Sequence, residues 1–155
     1  MNIKINTNIS HEFKEPSITI QAPELSTQIQ NLIDYISNIN TIPTQIVGNQ
    51  NNQIYFIDLE NVICFFSKDK YNYARTAKGT YKIKYKLYEL EETFKPKDFI
   101  RISNSCLINI HQVECFDTSI LGTVLVKLKD NTQEVVSKRN VSQIMKLLRE
   151  RGNLK

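Results

Sequence analysis

The sequence predicts a mainly β protein with flanking helices, an α+β chain, and three observations carry that prediction. Apolar and polar residues alternate with period two in short stretches from residue 44 to residue 136, bounded by Gly, Asn, Asp or Ser. Apolar residues at helical spacing appear at 25–36, 87–94 and 141–148. The stretch Phe99-Ile-Arg-Ile-Ser-Asn-Ser-Cys-Leu-Ile-Asn109 begins as a strand, breaks at Ser103-Asn104-Ser105 and resumes as a strand. Bulky and β-branched residues favour a pleated, half-buried backbone, whereas Ser and Asn compete for backbone hydrogen bonds and favour turns. A polar tripeptide between two such strands is held rigidly and faces water.

Residues 1–43 read as a small β-α-β extension. Ile3 and Ile5 alternate with polar residues over 2–6, as do Ile18 and Ile20 over 17–21, which predicts two half-buried strands. Pro23 suits a first helical turn. Leu25, Ile29, Leu32, Ile33 and Ile36 then form one apolar stripe of a helix that ends at 38–40, before Pro43. Two strands are too little to hide that stripe. The extension is therefore expected to meet the main domain or a second subunit, and is a candidate dimerisation element.

Residues 44–155 form the main domain. A short strand at 44–47 leads into a loop at 48–52 and a returning strand at 53–57. After a turn at 58–61, Val62-Ile-Cys-Phe-Phe66 is a continuous apolar run, as in a strand buried on both faces. Residues 67–70 form a polar tip. A hairpin follows, with strands at 71–76 and 80–85 around Ala77-Lys78-Gly79. In its second strand Tyr81, Ile83 and Tyr85 face one way and Lys82, Lys84 and Lys86 the other. Leu87, Leu90 and Phe94 mark a short helix stopped by Pro96. Beyond the interrupted strand, 113–117, 123–129 and 132–136 read as a meander with a tight turn at Lys129-Asp130-Asn131. Asn140 is placed to cap a last helix carrying Val141, Ile144, Met145 and Leu148 and ending at Gly152.

The 155 residues suffice for a real core, and 41% hydrophobic with 23% charged residues is ordinary for a globular chain. Charge is unevenly placed. Before residue 50, Lys4 and Lys14 face Glu12, Glu15, Glu24 and Asp34, a net −2, while the remainder holds 18 basic and 12 acidic residues, a net +6. That positive field suits a partner rich in phosphate. No stretch resembles a signal peptide or a membrane span, so a cytoplasmic location is expected. Cys64, Cys106 and Cys115 lie in apolar stretches without a C-x-x-C spacing and read as buried free thiols.

Little in the chain points to catalysis. His11 and His111 stand a hundred positions apart, and Asp58, Glu60 and Asp69 read as turn residues rather than as a Mg²⁺ site. There is no Gly-rich phosphate cradle, nucleophile elbow or zinc motif. A non-enzymatic protein with no cofactor and no metal is expected. Binding fits better. Arg139 lies at the start of the last helix, where free N–H groups and the positive helix end suit a phosphate and the guanidinium can address guanine O6 and N7. Asn104, at the rigid polar tip, can make the paired contact that adenine offers. Asn72, between Tyr71 and Tyr73 and near Lys68 and Lys70, is a third candidate tip. No helix-turn-helix pair is evident, so a DNA reader would use loops projecting from sheets.

Phe99-x-Arg-Ile-x-Asn-Ser-x-Leu-Ile-Asn109, followed after a strand pair by Val136-Ser-Lys-Arg-Asn-Val141, resembles the LytTR DNA-binding domain of bacterial transcriptional regulators. The resemblance takes in Asp58 to Phe66 and Tyr71-Asn-Tyr73, covering about 44–150. It implies an elongated β-sheet domain laid along double-stranded DNA, with loops in successive major grooves. It also implies that Asn104 and Arg139, and less closely Asn72, contact bases. Arg101, Ser105, Ser137 and Lys138 would be phosphate-side or loop-shaping residues, with Lys68 and Lys70 adding to the positive field. Many relatives begin with a receiver domain, which about 50 residues cannot form. The chain therefore reads as a standalone, response-regulator-like protein, a homodimer on repeated half-sites, and the resemblance implies control by a membrane-bound partner. Besides a distant third, a metal-dependent nuclease, two other readings remain open on the residues alone. One is a single-strand or RNA-binding module using Tyr71, Tyr73 and Tyr81 as stacking platforms. The other is a protein-interaction or sensing domain in which the basic surface is incidental.

Overall fold

Pairing, rather than strand propensity, decides where this chain becomes β. The structure, a computed structural model, describes residues 3–39 and 42–152 and divides into two units with the boundary between residues 41 and 42.

In the first unit, described residues 3–26 contain no strand. The strands expected at 2–6 and 17–21 are not formed over their described residues, and Ile3, Ile5 and Ile18 are exposed. Alternation supplies a strand's face but not the neighbour that its N–H and C=O groups require. Asn2, part of the first expected strand, lies outside the described residues. The extension is thus one helix preceded by irregular chain, not β-α-β. Helix α1 (Thr27–Ile39) starts four residues after Pro23. Its cap is Ser26, whose hydroxyl accepts from Ile29 N–H at 3.3 Å and whose carbonyl accepts from Gln30 N–H at 2.9 Å. Ile29, Leu32, Ile33 and Ile36 of the expected stripe are half-buried, whereas Leu25, its expected first member, precedes the helix and is exposed.

The second unit is mostly β with flanking helices. In chain order it contains β1 (Gln45–Gln50), β2 (Gln53–Asp58), β3 (Val62–Lys68), β4 (Tyr71–Thr76), β5 (Gly79–Ile83) and α2 (Leu87–Phe94). Then come β6 (Phe99–Ser103), β7 (Cys106–Asn109), β8 (Val113–Asp117), β9 (Leu125–Leu128), β10 (Gln133–Val135) and α3 (Lys138–Gly152). One antiparallel sheet runs β2-β1-β5-β4-β3-β7-β6 and a second runs β10-β9-β8. Two loops read from composition shrink to two residues. Asn51 with Asn52, and Asp69 with Lys70, have positive φ at both central positions, the primed turn geometry that matches strand twist.

Strand β3 explains the layering. Its Val62 and Phe65 enter a core with Ile46, Ile57, Ala74 and Tyr81, covered by Leu87, Leu90 and Phe94 of α2. Its Ile63 and Cys64 enter another with Ile102 and Ile108, covered by Val126 and Leu128 of the small sheet, Val124 just before it and Ile144 of α3. The unbroken apolar run is therefore buried on both faces, as expected. Gly48 faces the first core, where a Cβ would stand 2.7 Å from both Ile57 Cδ1 and Tyr81 Cβ.

Polar side chains pin the layers together. Arg75 on β4 reaches the turn after β9, with Nε 3.0 Å from Asp130 Oδ2 and a hydrogen bond to Thr132 Oγ1 at 2.7 Å. Buried Asn109 donates to Val62 O at 2.9 Å and accepts from His111 N–H at 3.0 Å, tying β7 to the start of β3. Cys64 and Cys106 are buried as expected, whereas Cys115 is exposed. It lies on β8, an edge strand of the small sheet, beside a register shift between Val113 and Cys115. Among the described residues, no helix is long and apolar enough to cross a membrane.

Candidate nucleic-acid interface

Strand pairing brings three polar segments to one rim of the large sheet. The turn joining β3 to β4 carries Asp69 and Lys70, and the turn joining β6 to β7 carries Asn104 and Ser105. Because β3 pairs antiparallel with β7, these turns are neighbours, and Ser67 N–H donates to Ser105 O at 2.9 Å. The third segment is the start of α3, held against β6 by Ser137 N–H donating to Ile102 O at 2.8 Å.

The α3 start differs from the sequence expectation in an instructive way. The helix begins at Lys138, so Ser137 takes the cap position and Asn140 sits in the first turn. Asn140 N–H donates to Ser137 O at 2.8 Å, and its side chain donates to Ser137 Oγ at 2.8 Å. Two shape-compatible capping residues three apart compete, and docking of Ser137 on β6 decides between them. Lys138 and Arg139 thereby fall in the exposed first turn, where the helix dipole is positive.

Arg139 and Asn104 meet there. The guanidinium donates through Nη2 to Asn104 Oδ1 at 2.5 Å, and both residues are exposed. Ser103 Oγ accepts from Ser105 N–H at 3.3 Å and shapes the turn, which leaves the Asn104 side chain outside it. Arginine retains most of its five N–H donors and asparagine its own donors. The pair therefore forms one joined donor surface on this exposed rim. Behind the turn, the hydrogen bond with Cys64 and burial push the Cys106 thiol far up, so it stays protonated and packs as an apolar group.

The other expected site residues divide. Lys68, Lys70, Ser105 and Lys138 are exposed on this rim, with Ser137 half-buried as the cap. Asn72 is employed by the fold. It accepts from Ser67 Oγ at 2.6 Å and donates to Tyr85 O at 2.8 Å, pinning β4 to β3 and to the chain leaving β5. One N–H and one lone pair of its amide are thus committed within the fold. Arg101 also departs from its expected phosphate-side place. It shares the face of Phe99, toward α2, with Nε 3.7 Å from Glu91 Oε2 and an Nη1 that is buried without a hydrogen-bond partner. Alternation along β6 sets that direction, since a neighbour of Ile100 and Ile102 must point to the opposite face.

The tyrosines expected as stacking platforms are occupied too. Lys82 Nζ lies 3.3 Å from the Tyr71 ring centroid, Tyr73 stacks on Phe66 with centroids 5.3 Å apart, and Tyr81 is buried. Lys82 is a rim cation that the sequence reading placed only in a row of lysines. Its alternation with Tyr81 and Ile83 was the available signal.

Comparisons with known proteins bear on the family and the fold. The family model described as LytTr DNA-binding domain matches residues 52–149. The chain is similar to proteins named uncharacterized HTH-type transcriptional regulator in Staphylococcus aureus strains MSSA476, MW2 and NCTC 8325, each 31% identical over 94% of this chain and 98% of the relative. Those names say helix-turn-helix, but strands separate the three α-helices among the described residues here. A solved LytTr DNA-binding domain from Bacillus cereus superposes with a TM-score of 0.65 at 23% identity, covering 68% of this chain and 97% of that one. It shows the same fold. With a family model that matches residues 52–149 and relatives 31% identical over nearly their whole length, the chain belongs to the LytTR family of DNA-binding domains.

Proposed function

We infer that this protein is a sequence-specific, double-stranded DNA-binding transcriptional regulator that works without chemistry or cofactor. The observation that carries the reading is the Arg139–Asn104 hydrogen bond on an exposed rim. Sequence discrimination needs directional donors at a fixed position, and a guanidinium anchored to a rigid turn supplies them. Arg139 and Asn104 read base edges in a major groove. Lys68, Lys70 and Lys138, with the α3 N-terminus and Ser105, hold phosphates and give salt-dependent affinity. Asn72 and Arg101 support this rim from within the fold. The protein acts in the cytoplasm as a homodimer on repeated half-sites, and the family resemblance adds control by a membrane-bound partner.

Binding of the purified protein to duplex DNA from upstream of its own gene, against scrambled duplex and single strands at ~0.15 M salt, tests the reading. A preference of ~10³ or more for the specific duplex is expected. Equal, weak, salt-abolished binding to all three would contradict it.

A further inference from the structure

Sheet edges are pairing hazards that folded proteins blunt with charge, proline, bulges, brevity or cover, and the edges of this protein are treated unequally. Strand β6 carries Arg101 and a register shift after it, and Ser137 N–H caps its Ile102 carbonyl. Strand β10 is three residues long. Strand β8 carries Glu114 and a register shift. Strand β2, Gln53-Ile-Tyr-Phe-Ile-Asp58, has no proline, no bulge and no charge before its last residue. It pairs with β1 in unbroken register over six residue pairs, contains no Lys, Arg or Pro, and has its single charge at its last residue.

The hairpin geometry says which groups face outward. A two-residue turn closes on a hydrogen-bonded pair, Gln50 with Gln53, and such pairs alternate along an antiparallel ladder. Gln53, Tyr55 and Ile57 therefore bond to β1, and the N–H and C=O groups of Ile54 and Phe56 point away from the sheet. The side chains of the same residues are 70% and 74% exposed, and Val47, opposite Phe56 on β1, is 40% exposed. An unpaired backbone edge and an apolar strip thus coincide on one strand.

We propose that β2 is a homodimerisation edge, on which two copies of this chain pair antiparallel across a two-fold axis. The strand is self-complementary in the required sense. With Ile54 of one copy opposite Phe56 of the other, every outward N–H and C=O of those residues is paired. Ile54 and Phe56 of both copies then form one apolar cluster flanked by both Val47 side chains, and no like charges face each other. An antiparallel two-fold pairing uses each edge once and closes, so it yields a dimer rather than a fibre. The proposal rests on the homodimer reading above, but uses other residues than the rim bearing Arg139 and does not depend on base reading there.

Sedimentation velocity of the full-length protein without DNA tests this. The wild type is expected to be dimeric at tens of micromolar. The Ile54→Lys/Phe56→Lys variant is expected to self-associate ~10²-fold or more weakly, with an unchanged circular dichroism spectrum. Hydrogen exchange gives a second measurement that needs no variant: the Ile54 and Phe56 amides should gain protection as concentration rises through the dimerisation range. A monomeric wild type would overturn the proposal, including one whose β2 amides are protected at all concentrations, because another part of the same chain would then cover the edge. A dimer that survives the β2 variant but dissolves on Ile29→Lys or Ile33→Lys would place the interface on α1 and overturn it equally.

Discussion

Arg139 donates to the side-chain carbonyl of Asn104 at 2.5 Å, joining two residues thirty-five positions apart. Each comes from a segment fixed by backbone hydrogen bonds, Ser67 to Ser105 on one side and Ser137 to Ile102 on the other. The pair is therefore set before any ligand arrives, and little ordering entropy remains to be lost on binding.

Because a hydrogen bond joins the two side chains, the proposed reading expects their substitutions not to be additive. Arg139→Ala and Asn104→Ala are each expected to weaken binding to a cognate duplex by ~1–3 kcal/mol, and the double variant by clearly less than the sum. A fluorescence-anisotropy double-mutant cycle measures this, and strict additivity would mean that the hydrogen bond has no part in recognition.

Lys138 lies one residue away and, on the proposed reading, contacts phosphate rather than a base. Lys138→Ala should weaken cognate and scrambled duplexes alike and lower the salt dependence of log K by about 1. Titrations between low and physiological salt give that slope.

Asn72 should behave as a structural residue. Asn72→Ala leaves the Tyr85 carbonyl and Ser67 hydroxyl without partners and is expected to cost ~1–3 kcal/mol in urea unfolding, with base preference unchanged. Altered base preference at full stability would return it to the reading surface.

Gly48 is required by close approach, not by its dihedral angles. An added methyl would stand 2.7 Å from Ile57 Cδ1 and Tyr81 Cβ, so Gly48→Ala should destabilise by ~1–3 kcal/mol through overpacking. Urea unfolding with an unchanged m-value would show the effect to lie in the folded state.

Acid should loosen the join between the two sheets. Burial alone would raise the Asp130 carboxyl, but hydrogen bonds from Thr132 and the Arg75 guanidinium outweigh it and hold the group below the usual carboxylate range. Its contribution is therefore complete above the unfolded value of ~3.9 and is lost as pH falls through the lower folded value. Asp130→Asn should lower stability at neutral pH by ~1–3 kcal/mol and flatten the acid limb of the stability curve, measured by urea unfolding between neutral pH and pH ~3.

Much of the main domain was legible because its signals are local. The run from Val62 to Phe66 has the pattern of a strand buried on both faces and forms one, and the Ser103-Asn104-Ser105 break is a turn in the structure as in the sequence. The strands expected at 2–6 and 17–21 had the same local signal but no neighbour to pair with, and pairing is not local. Composition overestimated the loop at 48–52, because Asn51 and Asn52 together accept the positive φ of a two-residue turn. The contact between Asn104 and Arg139 was not visible from either motif. Docking of Ser137 on β6 creates it, and the same docking moved the cap away from Asn140. Arg101 and Asn72 matched a motif by type and order, but strand alternation turned one toward Glu91 and the Ser67 hydroxyl claimed the other.

The most direct test compares wild type and Arg139→Ala on a cognate duplex and a scrambled duplex of equal length, in one buffer at ~0.15 M salt. The variant should lose ~1–3 kcal/mol on the cognate duplex, relax preference at one base position, and bind scrambled DNA almost as the wild type does. An equal loss on both duplexes would reduce Arg139 to a phosphate contact and contradict base reading at this rim.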